Sequence, residues 1–251
     1  MSNLAPNRHD YHPGAALTLE AHAETLNRRF KHHSAHDVMQ HALRDMGHVA
    51  LVSSFGAESV VLLHMAARVD PGLPVLFIDT EMLFPETLAY QQTITEKLGL
   101  TGVLILRAGD TRHKDANDDL HTYDTDACCA LRKTAPLQNA LRSFEGWITG
   151  RKRFQAGTRA ALDFFEVEKG SPRIKINPLA HWTPADVRDY MDENGLPKHP
   201  LVSQGYPSIG CAPCTSPVKE GEDPRAGRWR NTDKQECGIH FVNGKMVRTG
   251  V

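Results

Sequence analysis

At 251 residues and a net charge of −1, the chain is long enough for one large domain or two small ones with a full core, and it lacks the basic excess that would point to nucleic acid. Its longest apolar runs are four or five residues, such as Val60 to Leu63, too short to span a bilayer. Five cysteines, in a chain whose opening stretch lacks the apolar core of a secretory signal, argue against a disulfide framework and for metal or redox chemistry in the cytoplasm.

Residues 1–17 carry Pro, Asn, His and Gly without periodicity and are expected to form a flexible tail. Leu19, Ala23, Leu26 and Phe30, then Val38, Met39, Ala42, Leu43 and Met46, keep helical spacing and predict two amphipathic helices. The histidines between His9 and His41 read as dispersed surface residues rather than a metal set.

His48 to Ser54 predicts a buried strand, followed by the turn Phe55-Gly56-Ala57-Glu58 and an apolar helix over Ser59 to Val69. Pro74 to Thr80 predicts a second strand, Pro85 opens a helix to about Leu98, and Gly102 to Arg107 predicts a third strand. Strands alternating with helices imply βαβ units in a mostly parallel sheet, and their continuous apolar character suits strands covered on both faces.

Residues 108–126 are polar and acidic, a loop or irregular helix; Ala130 to Phe144 looks helical with an interruption near Pro136. Short extended segments follow at Trp147 to Gly150 and Arg173 to Pro178. Thr183 before Pro184 reads as an N-cap with proline in the first turn of a helix running to about Asn194. From Gly195 onward Gly and Pro are frequent, and regular structure should be sparse. The expected division is a tail over 1–17, an α/β domain over 18–218, and a C-terminal segment over 219–251.

Five stretches could carry chemistry. Ser53-Ser54-Phe55-Gly56-Ala57-Glu58 joins a strand to a helix N-terminus, where backbone N–H groups and the dipole favour an anion; an ordinary βα loop is the plain alternative. It is not a Walker loop, since it lacks the G-x-x-x-x-G-K-[ST] pattern. Ile78-Asp79-Thr80-Glu81 ends the second strand and borders the same crevice, or else caps the helix after Pro85.

Adjacent Cys128 and Cys129, with Cys211 and Cys214 in a C-x-x-C, make a four-thiolate set. Structural zinc is normally built from two spaced pairs. Neighbouring cysteines on a helix diverge by about 100°, which is awkward for one ion and easier for a 4Fe–4S cluster that gives each thiolate its own iron. Arg151, Lys152, Arg153 and Arg159, with Lys133, Arg225 and Arg228, follow strand ends or flank cysteines; they are partners for an anionic substrate, or a solvated face. Cys237, in Glu-Cys-Gly-Ile-His, lies in a poor core segment and reads as a reactive thiol rather than a buried inert one.

Together these residues resemble the assimilatory adenylyl-sulfate reductases, the iron–sulfur branch of the phosphosulfate reductases, from about Val49 to His240. The carriers are Ser-Ser-Phe-Gly-Ala-Glu at 53–58, Asp-Thr-Glu-x-x-Phe-Pro-Glu-Thr at 79–87, Cys-Cys-x-x-Arg-Lys at 128–133 and Gly-Arg-Lys-Arg-x-Gln-x-Gly-Thr-Arg at 150–159. They continue with Ile-Gly-Cys-x-Pro-Cys-Thr at 209–215, Arg-x-Gly-Arg-Trp at 225–229 and Glu-Cys-Gly-Ile-His at 236–240.

The resemblance implies a parallel α/β sheet flanked by helices, of the adenine-nucleotide hydrolase (PP-loop) type, with a C-terminal segment folding over the active site. It implies Cys128, Cys129, Cys211 and Cys214 as ligands of a 4Fe–4S cluster and Cys237 as nucleophile. Ser53, Ser54, Gly56 and Glu58 would line the nucleotide site, with Ile78, Asp79 and Thr80 on the adenine and ribose side. Lys133, Arg159, Arg225, Arg228 and His240 would surround the phosphosulfate. The implied reaction is thioredoxin- or glutaredoxin-dependent reduction of adenylyl sulfate to sulfite and AMP in sulfate assimilation and cysteine biosynthesis. No nucleic acid or membrane is expected as a partner, and homo-oligomerisation stays open. Rival readings are a reductase of the 3′-phosphorylated nucleotide, a PP-loop tRNA-thiolating enzyme and a non-enzymatic zinc module. The tRNA reading lacks the usual Ser-Gly-Gly-x-Asp-Ser loop.

Overall fold

The computed structural model describes residues 18–109, 111, 113–155, 157–230 and 234. The expected tail over 1–17 and the segment carrying Cys237 and His240 lie outside the described residues.

Two helices lead: α1 (Leu19–Phe30), capped by the Thr18 hydroxyl, and α2 (Ala35–Asp45), opened by a capping box between Ser34 and Asp37. Then β1 (Val49–Ser53), α3 (Ser59–Val69), β2 (Val75–Ile78), α4 (Pro85–Leu98) and β3 (Val103–Leu106) alternate as the spacing predicts. The middle of the chain carries the short helices α5 (Leu120–Tyr123), α6 (Thr125–Cys129) and α7 (Ala135–Ala140), then β4 (Gly146–Ile148), β5 (Phe165–Val167), β6 (Ile174–Ile176) and α8 (Pro184–Glu193). Helix α8 starts on a capping box between Thr183 and Asp186, as the Thr-Pro pair suggests.

The six strands form one sheet in the order β3-β2-β1-β4-β6-β5, parallel except for β5, which runs antiparallel to β6. The larger core lies on one face, where α1, α2, α3 and α8 bury Phe30, Val38, Met39, Leu63 and Val187 against Leu51, Phe77, Ile148 and Ile176. On the other face Leu137 of α7 and Leu141 just after it pack with Ala50, Leu76 and Trp147. Central strands thus have the two-sided cover their apolar runs predict. The edge strand β3 departs from it: Leu104 and Ile105 are 49% and 52% exposed.

Strand β5 is a further departure. Its three residues pair antiparallel at the sheet edge, too short for an alternating pattern to register. The interruption near Pro136 takes the form of a π-helical turn at Ala130–Thr134, where the Ala135 N–H reaches back five residues to the Ala130 carbonyl. Pro136 has no N–H to donate, so the helix changes register just before it. Among the described residues no helix is long and apolar enough to cross a membrane.

Candidate active site and cysteine centre

The carboxyl ends of β1, β2 and β4 open into a cavity of about 790 Å³. Its lining includes Ser53, Ser54, Gly56, Glu58, Ile78, Lys133, Arg159, Arg225 and Arg228. Sequence separations of more than a hundred residues close here into one site, at the place where open α/β sheets take ligands.

The β1–α3 loop is shaped from inside. Phe55 has φ 48°, a left-handed conformation that costs a non-glycine residue about 1–3 kcal/mol. Its ring is fully buried and meets Phe77 edge-on at 5.2 Å, which holds the turn in place. The Phe55 N–H donates to Ser53 Oγ at 3.1 Å and the Gly56 N–H to Ser59 Oγ at 2.9 Å. Two amides expected to face an anion are therefore taken up by the loop's own hydroxyls. Glu58, at the N-cap of α3, makes no side-chain cap; it accepts from Lys152 Nζ at 2.8 Å. Lys152 is 2% exposed, and burial pushes its ammonium below the usual lysine range while Glu58 opposes that shift.

The other cations divide. Arg151 lines the cavity, but its guanidinium contacts Glu166, Asn177 and the Thr149 hydroxyl. Arg153 pairs with Asp163 at 3.1 Å and donates to the Leu162 carbonyl, outside the cavity lining. Arg159 is buried and donates to Gln155, itself a lining residue. The Arg228 guanidinium lies 4.5 Å over the Trp229 ring, and its buried Nε has no hydrogen-bond partner among the described residues. Gly210 makes this placement possible, since a Cβ there would come within 2.2 Å of Arg228 Nη2. A buried donor left open in a cation-lined cavity suits an anionic ligand.

The four cysteines meet at a second, small cavity lined also by Thr80, Met82, His121, Arg132 and Lys133. The Asp124 side chain caps α6 through the Ala127 N–H and sets Cys128 and Cys129 on its last turn, both buried. The C-x-x-C is brought up by main-chain bonds: Leu83 and Cys211 bridge antiparallel, and the Ala212 N–H donates to the Met82 carbonyl at 2.8 Å. Thr80 Oγ1 lies 3.2 Å from Cys211 Sγ. Burial first, then the neighbouring Cys211, pushes the Cys128 thiol up to about 11. Burial likewise raises Cys214, with Cys211 adding to it and Lys133, Arg228 and Lys234 opposing.

None of the four forms a disulfide among the described residues. Among the described residues no three His, Cys, Asp or Glu side chains converge as one metal ion requires.

Arg132 rivets the two halves. Buried at the π-helical turn, it donates to Asp115 through Nε and Nη2 at 3.0 and 2.8 Å, to the Thr80 carbonyl at 3.1 Å, and to Asp118. Sequence reading passed over Arg132 and Asp115, although Arg132 stands in the Cys-Cys-x-x-Arg-Lys run. It also passed over Lys152 as a buried partner of Glu58, and over Lys234. Of the residues expected on the adenine side, Ile78 lines the large cavity, Asp79 is buried and held by Arg107 at 2.8–2.9 Å, and Thr80 faces the cysteines. Lys133 and Cys211 line both cavities.

Residues 48–217 match the model of the phosphoadenosine phosphosulfate reductase domain. A relative from Chelativorans sp. named adenosine 5′-phosphosulfate reductase is 48% identical over 230 residues, covering 90% of this chain and 93% of its own. A crystal structure of phosphoadenylyl-sulfate reductase from Candida auris, a phosphate complex, superposes with a TM-score of 0.71 at 30% identity, covering 81% of this chain and 98% of that one. FMN adenylyltransferase from Candida glabrata, at 15% identity and a TM-score of 0.54 over 80% of this chain and 71% of that one, shares the fold alone.

Proposed function

The chain belongs to the phosphoadenosine phosphosulfate reductase family, and on that premise we propose that it reduces adenylyl sulfate to sulfite and AMP in sulfate assimilation. The observation that carries the reading is Lys133, which lines both the cation-rich cavity and the cysteine centre. An anion site sharing a wall with four cysteines fits a reductase of adenylyl sulfate, the substrate in the name of the relative at 48% identity.

The nucleotide would lie along Ser53 to Glu58 and Ile78, at the carboxyl ends of β1 and β2. Lys133, Arg159, Arg225 and Arg228 would hold the phosphate and sulfate oxygens through charge-assisted hydrogen bonds. The Cys237 thiolate, with His240 beside it in sequence, attacks the substrate sulfur. The bond from that sulfur to the bridging oxygen breaks, and AMP leaves with the electron pair. The cationic side chains stabilise the charge that grows on the departing phosphate. An S-sulfocysteine remains on Cys237, so one hard step has become two.

A protein dithiol, thioredoxin or a glutaredoxin-like reductant, then attacks Cys237 Sγ. Sulfite leaves with the electrons of the sulfur–sulfur bond. The reductant's second thiol displaces Cys237 and closes its own disulfide. The substrate sulfur gains two electrons and the dithiol loses two.

Cys128, Cys129, Cys211 and Cys214 would hold a 4Fe–4S cluster. The support is the small cavity that the four thiols share. When bound, such a group cross-links α6 to the C-x-x-C loop and sets a fixed charge beside Lys133.

Sulfite release measured with adenylyl sulfate and with its 3′-phosphorylated form tests the substrate. Adenylyl sulfate is expected to be favoured more than about tenfold in kcat/KM, beyond ~1.4 kcal/mol of transition-state binding. Equal values would contradict the assignment.

A further inference from the structure

Gln155, partly buried in the wall of the large cavity, joins groups from two loops. Its side-chain carbonyl accepts from the Lys152 backbone N–H at 3.1 Å and from the Arg159 guanidinium. Its side-chain N–H donates to the Glu58 carboxylate at 3.5 Å. The same Glu58 oxygen accepts from Lys152 Nζ at 2.8 Å, and that ammonium also donates to the Gly150 carbonyl at 3.2 Å. Burial lowers the Lys152 pKa, Glu58 opposes the shift, and Arg159 and Arg225 add to it, which puts both arginines close to the pair. The turn carrying Gln155 is anchored from behind. The Arg153 N–H donates to the Ala180 carbonyl at 3.0 Å, and the Arg153 side chain to the Leu162 carbonyl at 2.7 Å.

These neighbours select an amide. One end of Gln155 meets two donors and must accept; the other meets a carboxylate and must donate. An ionised glutamate could serve the first end but would set a second carboxylate against Glu58. A neutral acceptor also orients a guanidinium without cancelling the charge that an anionic ligand needs. Resting on the reading of this cavity as the phosphosulfate site, we propose that Gln155 is a positioning residue for substrate binding. It sets the Arg159 guanidinium against the phosphate of the nucleotide and ties that arginine to the Glu58–Lys152 pair.

Gln155→Met, Arg159→Ala and the Gln155→Met/Arg159→Ala pair test this in the full chain, with AMP and adenosine as the probes in titration calorimetry. Methionine keeps the length of the side chain and makes neither bond. AMP carries the phosphate that Arg159 would meet, and adenosine does not. Gln155→Met is expected to weaken AMP about tenfold and adenosine less than about twofold, and Arg159→Ala to act in the same direction at least as strongly. The pair should be no worse than Arg159→Ala alone, because two residues acting through one contact are not additive. Equal loss of both probes in Gln155→Met would make the residue a support of the loop alone and overturn the proposal; additive losses in the pair would overturn it too. Wild-type protein that binds AMP no tighter than adenosine would overturn the reading of the cavity, and the inference with it. A wild-type preference for AMP that survives Gln155→Met undiminished would overturn the inference and leave the reading intact.

Discussion

Lys152 is a buried ammonium with one carboxylate, Glu58, at 2.8 Å. Glu58→Gln would strand it, at a cost of roughly 3–5 kcal/mol. The pH dependence has a fixed sign. Burial holds the folded-state pKa of Lys152 below its unfolded value, and losing Glu58 removes the opposing influence. The unfolded chain then binds more protons in that window, so stability should rise as pH climbs toward 10.5. Melting temperatures between pH 7 and 10 should climb more steeply in Glu58→Gln than in the wild type; parallel curves would remove the ion pair's role. Lys133 and Arg159 play a different part, as lining residues of the large cavity. Lys133→Ala and Arg159→Ala should each lose ten- to a hundredfold or more in kcat/KM, since a charge-assisted hydrogen bond contributes about 1.5–3 kcal/mol. Retained folding by circular dichroism with unchanged kcat/KM would return both to a solvating role.

Helix α4 is tied to the loop after α8 by a buried imidazole. His199 Nδ1 accepts from the Leu201 N–H and Nε2 meets the Thr87 hydroxyl at 3.1 Å, an arrangement that needs the neutral ring. Burial lowers its pKa to about 4 from an ordinary 6.5. The unfolded chain therefore takes up the proton first, and the His199 contribution is complete above pH 6.5 and lost as pH falls toward 4. The difference between wild type and His199→Gln in unfolding free energy should shrink over that window by up to about 3 kcal/mol; a pH-independent difference would contradict it. At this scale the sequence was a good guide wherever a stop signal was local. Pro85 and Thr183-Pro184 marked the starts of α4 and α8, and the apolar runs marked β1 and β2. It was a poor guide where the decisive partner was distant. Leu104 and Ile105 read like central-strand residues, and nothing in their own run says that β3 ends the sheet. Strand β5 exists because β6 offers it an edge.

Across the whole molecule, the cysteine pair and the C-x-x-C sit about eighty residues apart in sequence and face one cavity in the fold. That convergence was legible from residue types, because four thiols in a fixed pattern have few other uses. The supports were not: Arg132, Asp115 and Lys234 are ordinary charged residues with partners up to 109 positions away. Nor could spacing show that Arg153 points toward Asp163 while its neighbour Lys152 turns inward to Glu58. If the four thiols act as one centre, Cys128→Ser and Cys211→Ser should each lose the bound iron, the brown absorbance near about 400 nm and the activity together. Full iron content in both variants would refute the ligand set. The proposed chemistry itself turns on Cys237, which should carry the transferred group when no reductant is present. Wild-type protein incubated with adenylyl sulfate should gain about 80 Da, one SO₃ group, on the peptide containing Cys237, and thioredoxin should remove it with release of sulfite. The same adduct on Cys128 or Cys214, or full turnover by Cys237→Ser, would contradict the mechanism.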